Sequence, residues 1–190
     1  MKSFRIYCFS LLALLSVTTV NANDFEAALS SETAEFTFRS DSSLIGWGGS
    51  DLAFSLFFNE DDDLIGQASI MQMRQPSEET PVTFGVGVKA YLGTLDDPND
   101  DVGALAIGGE VRYTIPGTMP MALYGRAFWA PEITSFLDAE GVLDYTIGFQ
   151  VEALPQTIAF VGLRNLEFDL DGGTYDADDS NVHIGVRLTF

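Results

Sequence analysis

The sequence predicts an all-β fold: an antiparallel transmembrane β-barrel of eight to ten strands, of the outer-membrane type. Three observations carry that expectation. Apolar residues alternate with small or polar ones over stretches of roughly nine to thirteen residues, the length a tilted strand needs to cross a bilayer. The connections between these stretches alternate in kind. An export leader precedes them.

The leader comes first in the chain. Lys2 and Arg5 begin it, Ile6 to Val20 is mostly apolar and uncharged, and Val20-Asn21-Ala22 offers small residues for cleavage after Ala22. The apolar run falls short of the roughly twenty residues of a spanning helix. The chain thus divides into a signal peptide, 1–22, and a single barrel domain, 23–190. Cys8, the sole cysteine, leaves with the leader, so the exported chain holds no disulfide. It keeps seven basic residues against 28 acidic ones, a net charge of −21. A chain so acidic has no means of displacing counterions from nucleic acid, which is excluded as a partner. With 46% apolar residues it is also too hydrophobic for intrinsic disorder.

Within 23–50, Phe25–Leu29 and Thr33–Arg39 have strand character, followed by a Ser- and Gly-rich stretch ending in Trp47-Gly48-Gly49. If these two pieces form a hairpin the barrel has ten strands; otherwise it has eight. Nine would pair the ends in parallel, which bacterial barrels avoid. Eight further strands follow at Asp51–Asn59, Leu64–Arg74, Val82–Leu92, Val102–Tyr113, Met121–Ala130, Leu143–Ala153, Thr157–Phe168 and Val182–Phe190. In Val82–Leu92, for example, Val82, Phe84, Val86, Val88, Ala90 and Leu92 share one face, and Thr83, Gly85, Gly87, Lys89 and Tyr91 the other. In Thr157–Phe168 the parity is open, because Phe160 and Val161 compete for the apolar face. One set of connections is short or proline-containing: Gln75–Pro81, Thr114–Pro120 and Leu154–Gln156. The other is acidic and mostly longer: Glu60–Asp63, Thr94–Asp101, Pro131–Gly141 and Asp169–Asn181. Alternate turns facing different compartments explain the difference.

The less apolar faces decide between water and lipid. A soluble barrel would fill them with Lys, Glu and Arg. Here they are mostly Gly, Ala, Thr and Ser with isolated charges, as in the crowded interior of a small barrel. Tyr113, Trp129 and Phe190 stand near strand ends, where interfacial aromatics belong.

The last strand, VHIGVRLTF, ending in Phe190, looks like the insertion signal read by outer-membrane assembly machinery. Further motifs follow one another in order: FFNEDDD at 57–63, VGVKAYLG at 86–93, LAIGGEVRY at 105–113, WAPEITSFLDAE at 129–140, EALPQ at 152–156 and the terminal HIGVRLTF. On these the chain resembles the YfaZ family of outer-membrane proteins. The resemblance implies an outer-membrane barrel and brings no catalytic residues with it. The implied partners are outer-membrane lipid and lipopolysaccharide, with assembly machinery and periplasmic chaperones during biogenesis.

Three groups of residues are candidate sites. On the strand parities, Lys89, Glu110, Arg112, Arg126, Asp144, Glu152, His183 and Arg187 point into the lumen, joined by Arg164. Charges in so narrow a space need partners, so they form either a salt-bridge plug or a selectivity ring. His183 is the sole histidine; as a catalytic base it would need a nucleophile such as Ser180 and an orienting acid. No serine lies in a nucleophile-elbow motif, so a packed lumen histidine is expected. The third group is the acidic connections: Asp61, Asp62 and Asp63; Asp96, Asp97, Asp100 and Asp101; and Asp176, Asp178 and Asp179 beside Asp169 and Asp171. Calcium or magnesium takes such oxygen ligands, although the spacing fits no EF-hand, and outward loops would bring the metal near lipopolysaccharide phosphates. Solvated, repulsive loops are the simpler reading. No P-loop, Cys/His cluster or dinucleotide fingerprint occurs, and no cofactor is expected.

The sequence therefore predicts a structural or small-pore, porin-like membrane protein and not an enzyme. A hydrolase centred on His183 and a surface-loop binding module for divalent cations, lipopolysaccharide, polysaccharide or phage are the alternatives.

Overall fold

The computed structural model describes residues 23–41, 49–74, 81–96 and 100–190, without the side chains of Asp179 and Ser180. The expected signal peptide lies outside the described residues. So do most of the Trp47-Gly48-Gly49 signal and Asp97.

Among the described residues eleven strands make one antiparallel sheet. They are β1 (Asp24–Leu29), β2 (Thr33–Asp41), β3 (Asp51–Asn59), β4 (Leu64–Met73), β5 (Val82–Thr94), β6 (Asp101–Ile115), β7 (Met121–Ala130), β8 (Ser135–Leu137), β9 (Ala139–Leu154), β10 (Thr157–Leu170) and β11 (Gly173–Thr189). Ten of them close a barrel: β1 pairs with both β2 and β11, β5 with β6, and β7 with β9. The two N-terminal pieces form the hairpin that makes the count ten. β8 is extra. It follows a single 3-10 turn, Glu132–Thr134, and pairs with Val102–Ala104 of β6, where β6 runs on past the end of β7. The seam is reinforced at the chain ends, where the backbones of Asn23 and Phe190 exchange two hydrogen bonds of 3.0 and 2.9 Å. Closure leaves no strand edge in the barrel wall for another chain to pair with.

Two expected connections prove to be largely strand. Asp169–Asn181 is a tight hairpin turning at Asp171 and Gly172, with Gly173 at φ 128°, so β11 begins nine residues before Val182. Pro131–Gly141 carries β8 and the start of β9. Aspartates are poor strand formers, and their run disguised β11; the glycine pair was the better signal. Residues 176–181 contain two register shifts against β10, and the one between Asp176 and Asp178 is a bulge that turns both Ala177 and Asp178 into buried positions.

The parity of the wall matches the alternation read from the sequence. Phe84, Val86, Ile147 and Val186 are 53, 69, 62 and 42% exposed on the outside. Together with Phe54, Leu92, Ile107, Leu123, Trp129, Leu163, Val182 and Ile184 they form a belt around the barrel. So large a continuous apolar surface belongs in hydrocarbon, and the fold is a transmembrane β-barrel. In β10 the competition is resolved: Phe160 turns inward over Gly185 beside His183, and Val161 faces out. Among the described residues no helix is long and apolar enough to cross a membrane.

Inside, the two halves differ. Toward the end away from the chain termini the lumen is filled by Phe57, Ile65, Tyr91, Leu95, Val102, Phe128, Val142, Leu166, Phe168 and Leu170, all buried. Toward the terminal end it widens into a cavity of about 530 Å³.

Candidate functional site

The lumen charges are stacked in tiers, each fixed by strand register. At the terminal end, Glu26 of β1 lies opposite Arg187 of β11, and Arg39 stands on the neighbouring β2. Arg187 Nε donates to Glu26 Oε2 at 2.7 Å, and Arg39 approaches the same oxygen at 3.5 Å. Across the barrel Glu110 accepts from Arg112 Nη2 and Nε at 2.6 and 3.1 Å, while Arg126 stands 4.0 Å away. Glu110 and Arg126 face each other in the β6–β7 register, whereas Arg112 sits two residues along Glu110's own strand and therefore on the same face.

Lys89 and Asp144 meet in the middle tier, 2.6 Å apart, and the Tyr91 hydroxyl donates to the same Asp144 oxygen at 2.7 Å. The ammonium also lies 4.9 Å from the Tyr91 ring and 5.6 Å from that of Phe128, so its charge faces two π surfaces and a carboxylate. Arg164 organises the next tier. It pairs with Glu35, donates Nε to Asp178 at 2.6 Å and Nη2 to Thr33 Oγ1 at 3.1 Å, and lies over the Phe57 ring. Every direction of its fork is occupied, as a buried guanidinium requires.

At the far end Asp63 acts as a clamp. Buried at 1% exposure, it accepts from Asn59 Nδ2 at 2.7 Å, the Tyr175 hydroxyl at 2.7 Å and the Asp96 backbone N–H at 2.9 Å. Three hairpin tips are thereby tied together.

The expected lumen set is thus brought inside. Lys89, Glu110, Arg112, Arg126, Asp144, Arg164 and Arg187 are all in ion pairs. Glu152 lines a smaller recess of about 190 Å³ at the terminal mouth, next to Arg112. His183 is buried against Phe160, ring centroids 5.9 Å apart, and its Nδ1 has no hydrogen-bond partner among the described residues. No carboxylate of the described residues therefore orients the imidazole through Nδ1, and the side chain of Ser180, the candidate nucleophile, lies outside the described residues.

The acidic candidates divide. Asp63 and Asp178 are corrected from metal ligands to structural anchors, since their carboxylates serve Tyr175, Asn59 and Arg164. Asp61, Asp62, Asp96, Asp101 and Asp176 are exposed and Asp100 half-buried. Among the described residues no three acidic or histidine side chains converge as a metal site. Sequence reasoning missed Glu26, Glu35 and Arg39. Their alternation with Ala27, Phe36 and Phe38 would have placed them inside once the N-terminal hairpin was accepted.

Phe190 is 61% exposed at the end of the seam, its ring available at the strand that completes the wall.

Two solved structures are similar to this chain at low level. The outer membrane channel DcaP of Acinetobacter baumannii is 15% identical over 92% of this chain and 55% of its own, with a TM-score of 0.40. A bacterial polysaccharide outer membrane secretin is 13% identical over 83% of this chain and 55% of its own, with a TM-score of 0.39. This chain thus spans about half the length of either. No curated protein matches the sequence. The family described as YfaZ precursor matches residues 1–190, the entire sequence, and to that family this chain belongs.

Proposed function

We propose that the protein is a structural barrel of the bacterial outer membrane, non-enzymatic, with a lumen closed at its outer end. The observation that carries this reading is the apolar filling of one half of the lumen, where Phe57, Tyr91, Phe128 and Phe168 are at most 2% exposed. Ten strands leave more interior room than eight, and here large side chains occupy it. Ions would have to displace packed aromatic rings, and the tiers of paired charges below leave few free charges to attract them.

The termini face the periplasm in this reading. The acidic far-end hairpins then meet the cell exterior, and the Phe190 strand is available to assembly machinery and periplasmic chaperones. Lipid and the lipid part of lipopolysaccharide contact the apolar belt. In this reading His183 is a packing residue, its ring against Phe160 and its Nδ1 without a partner among the described residues.

Planar-bilayer recording of the detergent-purified, heat-modifiable barrel tests the reading. The wild type is expected to give no discrete conductance steps. The double substitution Tyr91→Ala with Phe168→Ala is expected to produce them by removing the plug. Steps from the wild type of the size a porin gives would overturn the closed-lumen reading and favour a small pore.

A further inference from the structure

Among residues 23–190 there are seven basic side chains, and six of them turn into the lumen; only Arg74 lies outside it. Four of the six, Arg39, Arg112, Arg126 and Arg187, meet around the cavity at the terminal end. A chain with a large acidic excess has therefore gathered most of its positive charge in one small space. Two carboxylates, Glu26 and Glu110, are shared among these four guanidinium groups at that depth.

The shortage falls on Arg126. Its nearest carboxylate is 4.0 Å away, and it donates no hydrogen bond to any described residue. Arg39 is also short of acceptors, with its buried Nε unpartnered. A guanidinium has five donors in a planar fork suited to carboxylate or phosphate. Arg126 is among the residues lining the cavity, so its unused donors face a space large enough for a small molecule.

The mouth is charged the other way. Asp24 and Asp51 line the same cavity at the first residues of β1 and β3. Asp24 pairs in register with Arg39, and Glu26, two residues deeper, pairs with Arg187. Two residues of strand are about 7 Å, so an acidic rim lies one short step outside the arginine ring. A simple anion is repelled by that rim, and a simple cation by the ring. One wall is apolar: Met71 and Met73 pack over Gly85, where a Cβ would collide with both sulfurs.

The geometry points to a binding site for a small zwitterion, its phosphate or carboxylate on Arg126 and its ammonium at the aspartate rim, entering from the terminal end. Two sources share that chemistry, a phosphoethanolamine headgroup and a short peptide or amino acid. The site needs no path through the barrel, so it stands or falls independently of the conductance result.

Isothermal titration of the full barrel in detergent tests it, with O-phosphoethanolamine, alanyl-alanine and inorganic phosphate as probes. At least one zwitterion is expected to bind more tightly than inorganic phosphate, and which one identifies the source. Arg126→Gln is expected to weaken that binding about tenfold or more, and Arg126→Lys, which keeps the charge but loses the fork, by less. Asp51→Asn is expected to weaken the zwitterion and strengthen phosphate. Retained heat-modifiable migration shows that each variant is folded. Phosphate binding as tightly as both zwitterions, no binding by either zwitterion, or binding unchanged in folded Arg126→Gln overturns the proposal.

Discussion

The two halves of the lumen use the same residue types to opposite ends. Arg164, in the half away from the termini, is 6% exposed and held by Glu35, Asp178 and Thr33 against the Phe57 ring. Arg112, in the terminal half, has a 29% exposed side chain and one carboxylate partner beside an open cavity. Water decides the difference. Where aromatic rings exclude it, each charge must be matched in full, because an uncompensated buried ion is costly. Where a cavity admits it, solvent completes the hydration of incompletely paired groups, and donors remain available for a ligand. Burial in the far half thus fixes shape, and the looser pairing in the terminal half leaves chemistry to spare.

Truncating matched arginines breaks the comparison most directly. Arg164→Ala strands Glu35 and Asp178 without their cation, and the expected loss is about 3–5 kcal/mol, read as a lower unfolding temperature in heat-modifiability gels. Asp63→Ala removes the acceptor shared by Tyr175, Asn59 and the Asp96 N–H. It should cost about 2–3 kcal/mol and expose the far-end hairpins to added protease in intact cells. Arg112→Ala is expected to cost about 1 kcal/mol or less, since its partner Glu110 keeps Arg126 nearby and water reaches the site. If Arg112→Ala destabilised the barrel as much as Arg164→Ala, the two halves would not differ in the way described. His183→Ala should likewise remain folded with a loss of about 1–2 kcal/mol from the contact with Phe160.

Most of the wall was legible because lipid and lumen impose opposite demands on alternate residues. Val82–Leu92 and Leu143–Ala153 show both demands plainly, and their faces are as the alternation placed them. The lumen cations were legible for the same reason: a charge on a strand with an apolar outer face has only one place to go. Legibility fails where one demand lapses. Beyond the apolar belt the outer face of β11 meets water, only Tyr175 and Ala177 reach the apolar lumen filling, and a bulge breaks the period, so Thr174–Ser180 carries no alternation and resembles a loop. Asp178 accordingly could not be told from its exposed neighbour Asp176 until the bulge turned it toward Arg164. The pairings themselves, such as Lys89 with Asp144 at a separation of 55 residues, depend on barrel closure and register. Local pattern contains neither.

Outside the apolar belt the water-exposed hairpin tips of the far end also carry a pH response. Glu140, at the start of β9, is drawn above the ordinary carboxylate range by a hydrogen bond shared with Asp171 and by the charge of that same aspartate; Glu132 and Asp169 add to it. A carboxyl whose proton is held more tightly in the folded hairpin stabilises that hairpin as pH falls. The contribution is lost as pH rises through the raised value. Acidification from about pH 7 to about pH 4 should therefore tighten the contact between the β9 start and the β10–β11 turn. Amide exchange, corrected for its intrinsic pH dependence, should show greater protection at Gly141 and Gly173 in acid. Glu140→Gln, which supplies an amide donor to Asp171 at all pH values, should abolish the response. Because the pair lies in water, the change should stay local to this tip and leave the unfolding temperature of the barrel almost where it was.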